Sequence, residues 1–282
     1  MQTIKNTGHH LEVFTSYGEF VNMASENPEP RASNKSGEEG WQGGTKSLNE
    51  AVTLATEGWS EIRPEVDALL GDVTERLAER LSNLYVPRHD FGGAYVDMGR
   101  YLEGDPECMV TFNAEPAGAM GRVVKIAVAI TASSMIDPDD IKRRGIAVLA
   151  LVDTINKLGC GVELWVDSTV KGDGSSRYTT AVKVHDSNDS LDIDSIMFAV
   201  ANPSMLRRLV FSIQEQSPTA SKQGATARTS GYGIPSTVGV TAVQDFDVVV
   251  EKLQDGRGDI VRNPFEWVMS TVKGLGVVED NA

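Results

Sequence analysis

The chain has 282 residues, of which 40% are apolar, and this is ample for a hydrophobic core in one large domain or two small ones. Its formal net charge of -14 argues against bulk electrostatic attraction to nucleic acid, although a confined basic groove is compatible with that total. No stretch approaches the roughly 20 consecutive apolar residues that span a bilayer, so the sequence predicts no contact with a membrane.

Residues 1–44 are predicted to form an N-terminal arm and a flexible linker. Residues 1–22 mix apolar and polar positions, whereas residues 26–44 are rich in Pro, Gly, Ser and Glu, with Trp41 as the main apolar side chain. Three aromatic residues of the arm are candidates for contacts in a homo-oligomer: Phe14, Tyr17 and Phe20.

Residues 45–215 are predicted to form an α/β core that opens with two helices. The spacing of apolar residues becomes helical after Ser47, and a second helix with one apolar stripe runs from Arg63 to about Tyr85. The stripe is expected to pack on a sheet. Loops rich in glycine follow, and then a strand at Cys108–Phe112.

A strand, a long helix and a second strand come next and predict a βαβ unit. Residues 122–131 are too continuously apolar for a strand exposed on one face, so this strand is predicted to be central. Pro138 and the acidic residues after it open a helix that Gly159 ends, and residues 161–167 form the next strand, parallel to the first. Residues 177–185 alternate like an edge strand that pairs antiparallel with it. The sequence therefore predicts an α/β fold with a mixed sheet and flanking helices.

The last third of the chain combines helices with an unusual loop. Residues 216–244 contain no acidic side chain, and 15 of these 29 residues are Gly, Pro, Ser or Thr, which predicts a flexible loop. Residues 245–282 are predicted to supply C-terminal helices that pack on the core. Helices are predicted on both sides of the loop, at residues 194–201, 203–214, 243–253 and 264–272.

The sequence lacks the common signatures of nucleotide-binding, zinc-protease and hydrolase families, and its histidines and cysteines do not have metal spacing. Cys108 and Cys160 are interpreted as free thiols of the core. Asp137 and Asp139 precede a helix, where carboxylates are favoured by capping and by the helix dipole. We therefore expect binding without catalysis and without a cofactor. A magnesium-dependent phosphoesterase that uses Asp137, Asp139 and Asp167 is a third alternative.

Residues Ile130–Met135 (ITASSM) follow the central strand and resemble the metal-adhesion corner of von Willebrand factor A domains, written D-x-S-x-S-M. Ile130 stands where that motif has Asp, and Ala132 where it has its first Ser, so two of three direct metal ligands are missing. This resemblance implies a degenerate von Willebrand-like sheet without a working metal site. A protein with such a sheet would act as a non-enzymatic protein-interaction scaffold, and this is the main alternative function.

Single-stranded nucleic acid is the ligand for which the sequence offers candidate contacts, because Lys and Arg bind phosphates and aromatic rings stack on bases. Arg177 and Tyr178, on the predicted hairpin, are the most suggestive pair. The competing explanation is a solvated edge strand beside a flexible loop, and Phe211 is better explained as a core residue. The candidate DNA contacts are Lys171, Arg177, Tyr178, Lys183, Arg207, Arg208, Lys222, Arg228 and Tyr232.

Three segments together resemble a domain family that is widespread in tailed phages. They are A-x-x-L-A-x-E-G-W at residues 51–59, GAYVDMGRYLEGDPECM at residues 93–109 and R-R-G-I-A-x-L-A-L-V-D at residues 143–153. The similarity spans residues 45 to about 215. Within that family, the chain is similar to the Drc-type single-stranded-DNA-binding cofactors of lytic Pseudomonas phages.

This resemblance implies four properties. They are a fold other than the oligonucleotide-binding barrel, a preference for single strands over duplex, recruitment of the phage-encoded RNA polymerase to melted promoters, and a location in the cytoplasm of the infected bacterial host. It carries over no functional residue, so the candidate contacts depend on charge and aromatic character alone.

Overall fold

The computed structural model describes residues 1–6, 8–81, 86–113, 121–172, 174, 176–222, 231–253 and 258–276. Within these residues the chain forms a large mixed sheet with flanking helices, and a small second sheet. The predicted fold class is confirmed, and no closed barrel is present in the part of the chain that is described.

The main sheet mixes parallel and antiparallel pairs. In spatial order it contains β1 (Gln2–Asn6), β2 (His9–Phe14), β8 (Arg177–His185), β7 (Gly161–Lys171), β6 (Val123–Ala129) and β10 (Val248–Val250), and β9 (Ile234–Pro235) pairs with β7. Strands β7, β6 and β10 run parallel, whereas β8 is antiparallel to β7. The small sheet contains β3 (Val86–Asp90), β5 (Met109–Asn113) and β4 (Tyr95–Val96).

The helices pack mainly on one face of the main sheet. They are α1 (Tyr17–Ser25), α2 (Leu48–Glu57), α3 (Arg63–Leu81), α4 (Met98–Leu102), α5 (Pro138–Lys157), α6 (Ile193–Ala201), α7 (Phe211–Gln216), α8 (Pro218–Lys222), α9 (Asp259–Arg262) and α10 (Pro264–Gly274), with a π-helical segment at Met205–Val210. None of the described helices combines the length and the hydropathy that crossing a membrane requires.

The predicted βαβ unit is β6–α5–β7. Apolar residues fill both faces of β6, because Val128 faces the helices while Ala127 and Ala129 face the opposite layer. Asp137 caps α5, and its Oδ1 accepts a hydrogen bond from the Asp139 amide at 3.0 Å. The unit therefore forms from signals that are local in the sequence.

The opposite face of the sheet is covered by the chain segment that leads into β10. Val238 and Val240 of this segment pack on Leu11, Val13 and Trp165 of the strands. Both faces of the sheet are therefore buried, which places the usable openings of the sheet at the ends of its strands.

The structure corrects the predicted N-terminal arm. Strand β2 pairs with β8 inside the main sheet, so Arg177–His185 is an internal strand and not an edge strand. Phe14 and Phe20 are buried against each other, with ring centroids 5.4 Å apart, and are not available for the predicted oligomer contact. One of the polar residues that suggested an arm, Glu12, is buried inside the fold. Its carboxylate accepts hydrogen bonds from Tyr178 and Ser217.

The C-terminal predictions need two further corrections. Val248–Val250 is a parallel strand beside β6 and not part of a helix, because three β-branched residues suit the pleated edge of the sheet. The acid-free tract is partly structured, with α8 and β9 in it, and residues 223–230 lie outside the described residues. Residues 82–85, the predicted end of the second helix, also lie outside them. Cys160 is buried as predicted, whereas Cys108 is partly exposed.

Candidate functional site

A cleft of about 470 Å³ opens where β6 and β7 end at their carboxyl termini. Strand β7 follows β6 in the chain and lies on one side of it in the sheet. Strand β10, the last of the described strands in the chain, lies on the other side, so the strand order changes direction at β6. In open α/β sheets, ligands bind beyond the carboxyl ends of the strands at such a change of direction. The cleft is walled by three aromatic side chains, Arg207, residues 131–134 and residues 231–235.

Trp41, Phe211 and Tyr232 form a row of rings along the cleft. Tyr232 stacks on Phe211 with the ring centroids 3.7 Å apart and the planes inclined by 3°. The indole of Trp41 lies 6.5 Å from Phe211 at a tilt of 42°. Trp41 and Tyr232 are partly exposed, so their rings are accessible to a ligand. Flat aromatic surfaces of this kind are the platforms on which nucleobases stack.

Arg207 supports the aromatic row and does not contact solvent. Its guanidinium carbon lies 4.3 Å from the centroid of the Trp41 ring, and its nitrogens donate hydrogen bonds to the carbonyl oxygens of Trp41 and Ile136. Burial lowers the pKa of Arg207 to about 10, so the side chain stays charged at neutral pH. The prediction that Arg207 contacts phosphate is wrong, because the side chain is almost fully buried and its nitrogens are bonded to backbone carbonyls.

Arg208 is also buried, and it holds residues 27–45, here called the strap. It donates hydrogen bonds to the carbonyl oxygens of Ser33 and Thr45 at 3.0 and 2.7 Å, and to Gln42 Oε1 at 2.6 Å. The prediction of a DNA contact at Arg208 is wrong because the strap covers this side chain. The predicted flexible linker is correspondingly an anchored segment.

Glu215 fixes the other end of the strap to Tyr232. Its carboxylate accepts hydrogen bonds from the side chain of Asn27 at 2.9 Å, from the Ser33 amide at 3.1 Å and from the Tyr232 hydroxyl. Burial, followed by this carboxylate, raises the pKa of the Tyr232 phenol. The hydroxyl is therefore a proton donor at neutral pH, and α7, the strap and Tyr232 form one network.

Two cations from the predicted set are exposed where β7 ends and β8 begins. Lys171 and Arg177 are exposed and face each other in the β7–β8 register, at the end of β7 whose Val170 lines the cleft. Both side chains are therefore accessible to a phosphate group. Among the predicted contacts that the structure describes, Lys171, Arg177 and Tyr232 have positions that agree with a binding role.

The structure corrects Tyr178 and Lys183. Tyr178 is fully buried, stacks on His10 and donates its hydroxyl hydrogen to Glu12 Oε2 at 2.5 Å. Lys183 is largely buried, and its Nζ lies 2.8 Å from Asp186 and 3.6 Å from Glu163. Both corrections follow from the internal position of β8. Arg228 and the side chain of Lys222 lie outside the described residues.

The carboxylates of the phosphoesterase alternative are not gathered at the cleft. Asp137 caps α5, whereas Asp167 lies buried on the opposite face of the sheet. Asp167 Oδ2 accepts hydrogen bonds from the amides of Gly239 and Val240 at 3.1 and 2.8 Å. Burial raises the pKa of Asp167 to about 6. Among the described residues, no three His, Cys, Asp or Glu side chains form a group that can hold a metal ion.

Comparison with known proteins gives one match over almost the whole chain. Residues 2–277 match the family described as a domain of unknown function, DUF7192. The chain belongs to this family. No curated protein and no solved structure matches it. The DUF7192 match includes the strap, α7 and residues 231–235, so every element that walls the cleft lies within the family's length.

In this DUF7192 chain, sequence reasoning missed Trp41. Its assignment of Phe211 to the core is confirmed, and the same ring also lines the cleft. A signal for Trp41 was present, since it is the one aromatic residue in the polar segment 26–44. Nothing comparable marks Phe211, which is a helical apolar residue like its neighbours. Its place in the cleft depends on contact with Tyr232.

Proposed function

We propose that this chain is a single-stranded-DNA-binding protein of a bacteriophage. The observation that carries the proposal is the row of Trp41, Phe211 and Tyr232 along the cleft. The exposed cations Lys171 and Arg177 pair one strand position beyond Val170, which lines the same cleft. Binding of single strands without strong sequence preference combines these two elements, since bases stack on aromatic rings while Lys and Arg contact the backbone. A duplex keeps its bases stacked on one another and does not offer them to the cleft.

The resemblance to Drc-type cofactors extends the proposal to transcription. On that basis the chain recruits the phage RNA polymerase to melted promoters in the cytoplasm of the infected host, without catalysis of its own. The net charge of -14 supports a confined contact, because an acidic exterior disfavours binding to bulk duplex.

The direct test is fluorescence anisotropy of a labelled single-stranded oligonucleotide and of the same sequence as duplex, each at two salt concentrations. We expect the single strand to bind more tightly and its affinity to fall as salt rises, because phosphate contacts release counterions. Absence of binding at low salt, or equal affinity for duplex, would refute the proposal.

A charge reversal locates the contact. In the double variant Lys171→Glu/Arg177→Glu, we expect affinity to fall about tenfold or more and the salt dependence to weaken by about one unit of slope per lost phosphate contact. The matched control for each single reversal, Lys171→Glu and Arg177→Glu, is Lys157→Glu, because each of these variants changes the net charge by the same amount. Lys157 is 54% exposed, and it ends α5 at the opposite end of the sheet from the cleft. A loss in Lys157→Glu equal to the loss in either single reversal would show that net charge, and not the position of Lys171 and Arg177, governs binding.

A second candidate is the protein-interaction scaffold on a degenerate von Willebrand-like sheet. It is favoured by the β6–α5–β7 unit and by Ser133 and Ser134, which line the cleft after β6. The scaffold predicts no salt-sensitive binding of single strands and no effect of the double variant on nucleic acid. The anisotropy experiment therefore separates the two candidates.

A further inference from the structure

The small-sheet module, residues 86–113 with β3, β4, α4 and β5, exposes an unusual amount of apolar surface. Twelve large apolar side chains are exposed in the described part of the chain, and half of them fall within residues 91–102 of this module. Single exposed apolar residues are ordinary, but a cluster of this kind marks an interaction surface. The most exposed members are Phe91 at 71% and Leu102 at 79%.

Helix α4 presents part of this cluster as one face. Met98, Tyr101 and Leu102 are spaced i, i+3 and i+4, so they lie on the same side of the helix. Such a stripe is normally turned toward a core. Here Met98 and Tyr101 are each 59% exposed.

The module holds this face in place with its own hydrogen bonds. Asp97 caps α4 by accepting from the amides of Gly99 and Arg100 at 3.0 and 3.3 Å, and it also contacts His89 at 3.1 Å. Arg100 then pairs with Asp105 at 3.1 Å after the helix. A face that is ordered before a partner arrives loses little conformational entropy on binding.

The charges around the face indicate which partner it fits. Residues 86–113 contain five carboxylates against two arginines, and Asp90, Glu103 and Glu107 are exposed beside the apolar residues. A nucleic acid would meet these carboxylates with its phosphates. A second copy of the chain, with a net charge of -14, would meet them with further carboxylates. A partner surface with an apolar centre and a rim of Lys and Arg complements both the exposed apolar residues and the surrounding carboxylates of the module.

We propose that the exposed apolar face of the small-sheet module is a docking surface for a protein partner whose contacting surface is apolar at its centre and basic at its rim. The proposal does not depend on binding of single-stranded DNA, because none of the residues that line the cleft belongs to the module. The partner and the DNA strand would occupy different surfaces of the same chain.

The test uses the full chain and two synthetic amphipathic helical peptides of 18 residues, one of Leu and Lys and one of Leu and Glu, with binding measured by calorimetry. We expect the Lys peptide to bind at least tenfold more tightly than the Glu peptide, and the variant Tyr101→Ser/Leu102→Ser to lose at least tenfold in affinity for it. The control variant is Met135→Ser/Val243→Ser, which removes two exposed apolar residues outside the module. It should bind as the wild type does.

A second variant tests the rim without altering the apolar face. Glu103→Lys/Glu107→Lys should weaken binding of the Lys peptide and strengthen binding of the Glu peptide. The proposal is overturned by equal binding of the two peptides, by equal losses in the control, or by sedimentation that shows a dimer dissociated by Tyr101→Ser/Leu102→Ser. It is also overturned if that variant abolishes binding of single-stranded DNA, since the face would then belong to the nucleic-acid surface.

Discussion

The phenol ring of Tyr232 lies parallel to the phenyl ring of Phe211, with 3.7 Å between their centroids. Phe211 begins α7, whereas Tyr232 belongs to the segment that leads into β9. The stack joins this segment to the helix, and the bond from the Tyr232 hydroxyl to Glu215 joins both to the strap. The wall of the cleft is therefore a product of tertiary contacts.

Two substitutions at Tyr232 separate the ring from the hydroxyl. Tyr232→Phe keeps the stacked ring, so we expect affinity for single-stranded DNA within about twofold of the wild type and a loss of about 1 kcal/mol in the free energy of unfolding. Tyr232→Ala removes the ring and should weaken binding about tenfold or more, since stacking contributes about 1–3 kcal/mol per base. Anisotropy and urea unfolding measure the two quantities. A Tyr232→Phe protein that binds as weakly as Tyr232→Ala would contradict a stacking role.

Arg208→Lys should release the strap. A lysine ammonium cannot reproduce the planar set of donors that meets the carbonyls of Ser33 and Thr45 and the side chain of Gln42, so buried acceptors lose their partners. We expect a loss of about 2–4 kcal/mol in the free energy of unfolding and faster amide hydrogen exchange in residues 33–45. Arg143→Lys is the control, because Arg143 is 62% exposed and lies 3.6 Å from Asp140. Unchanged exchange in the strap would show that Arg208 does not hold it.

Asp167 should make stability depend on pH. Its pKa is about 6 in the folded chain, mainly because of burial, against an ordinary value of 3.8. The folded state therefore binds the proton more tightly, and the free energy of unfolding rises as pH falls through 6. Relative to Asp167→Asn, we expect the wild type to gain about 1 kcal/mol between pH 7 and pH 5. Urea unfolding of both proteins at the two pH values measures this difference, and a gain on raising the pH would have the wrong sign.

Gly239→Ala should destabilise the segment that covers the second face of the sheet. An added Cβ would lie 2.2 Å from Thr179 Oγ1 and 2.4 Å from Thr169 Oγ1, so the segment that donates to Asp167 must move. The expected loss is about 1–3 kcal/mol in the free energy of unfolding. The control Gly71→Ala has open space around its Cβ within helix α3 and should gain about 0.5–1 kcal/mol. Thermal or urea unfolding compares the two, and similar effects would show that steric contact at Gly239 is unimportant.

The sequence by itself determined the β6–α5–β7 unit. Its signals are local, since the continuous apolar run of β6, the Asp137 cap and Gly159 after α5 each act within a few neighbouring residues. The same reasoning failed for Val248–Val250. Its apolar period suited a helix, and only the vacant edge of β6 made it a strand.

Tertiary structure alone decided which of the candidate side chains reach solvent. Arg207 and Arg208 are buried by the strap, and Tyr178 by β2 and α8, although these elements lie far away in the sequence. Burial is a property of what the rest of the chain places over a residue, and no pattern around the residue itself records it. For the same reason the exposed apolar face of α4 resembles an ordinary core stripe in the sequence, and only the fold shows that nothing in the described chain covers it.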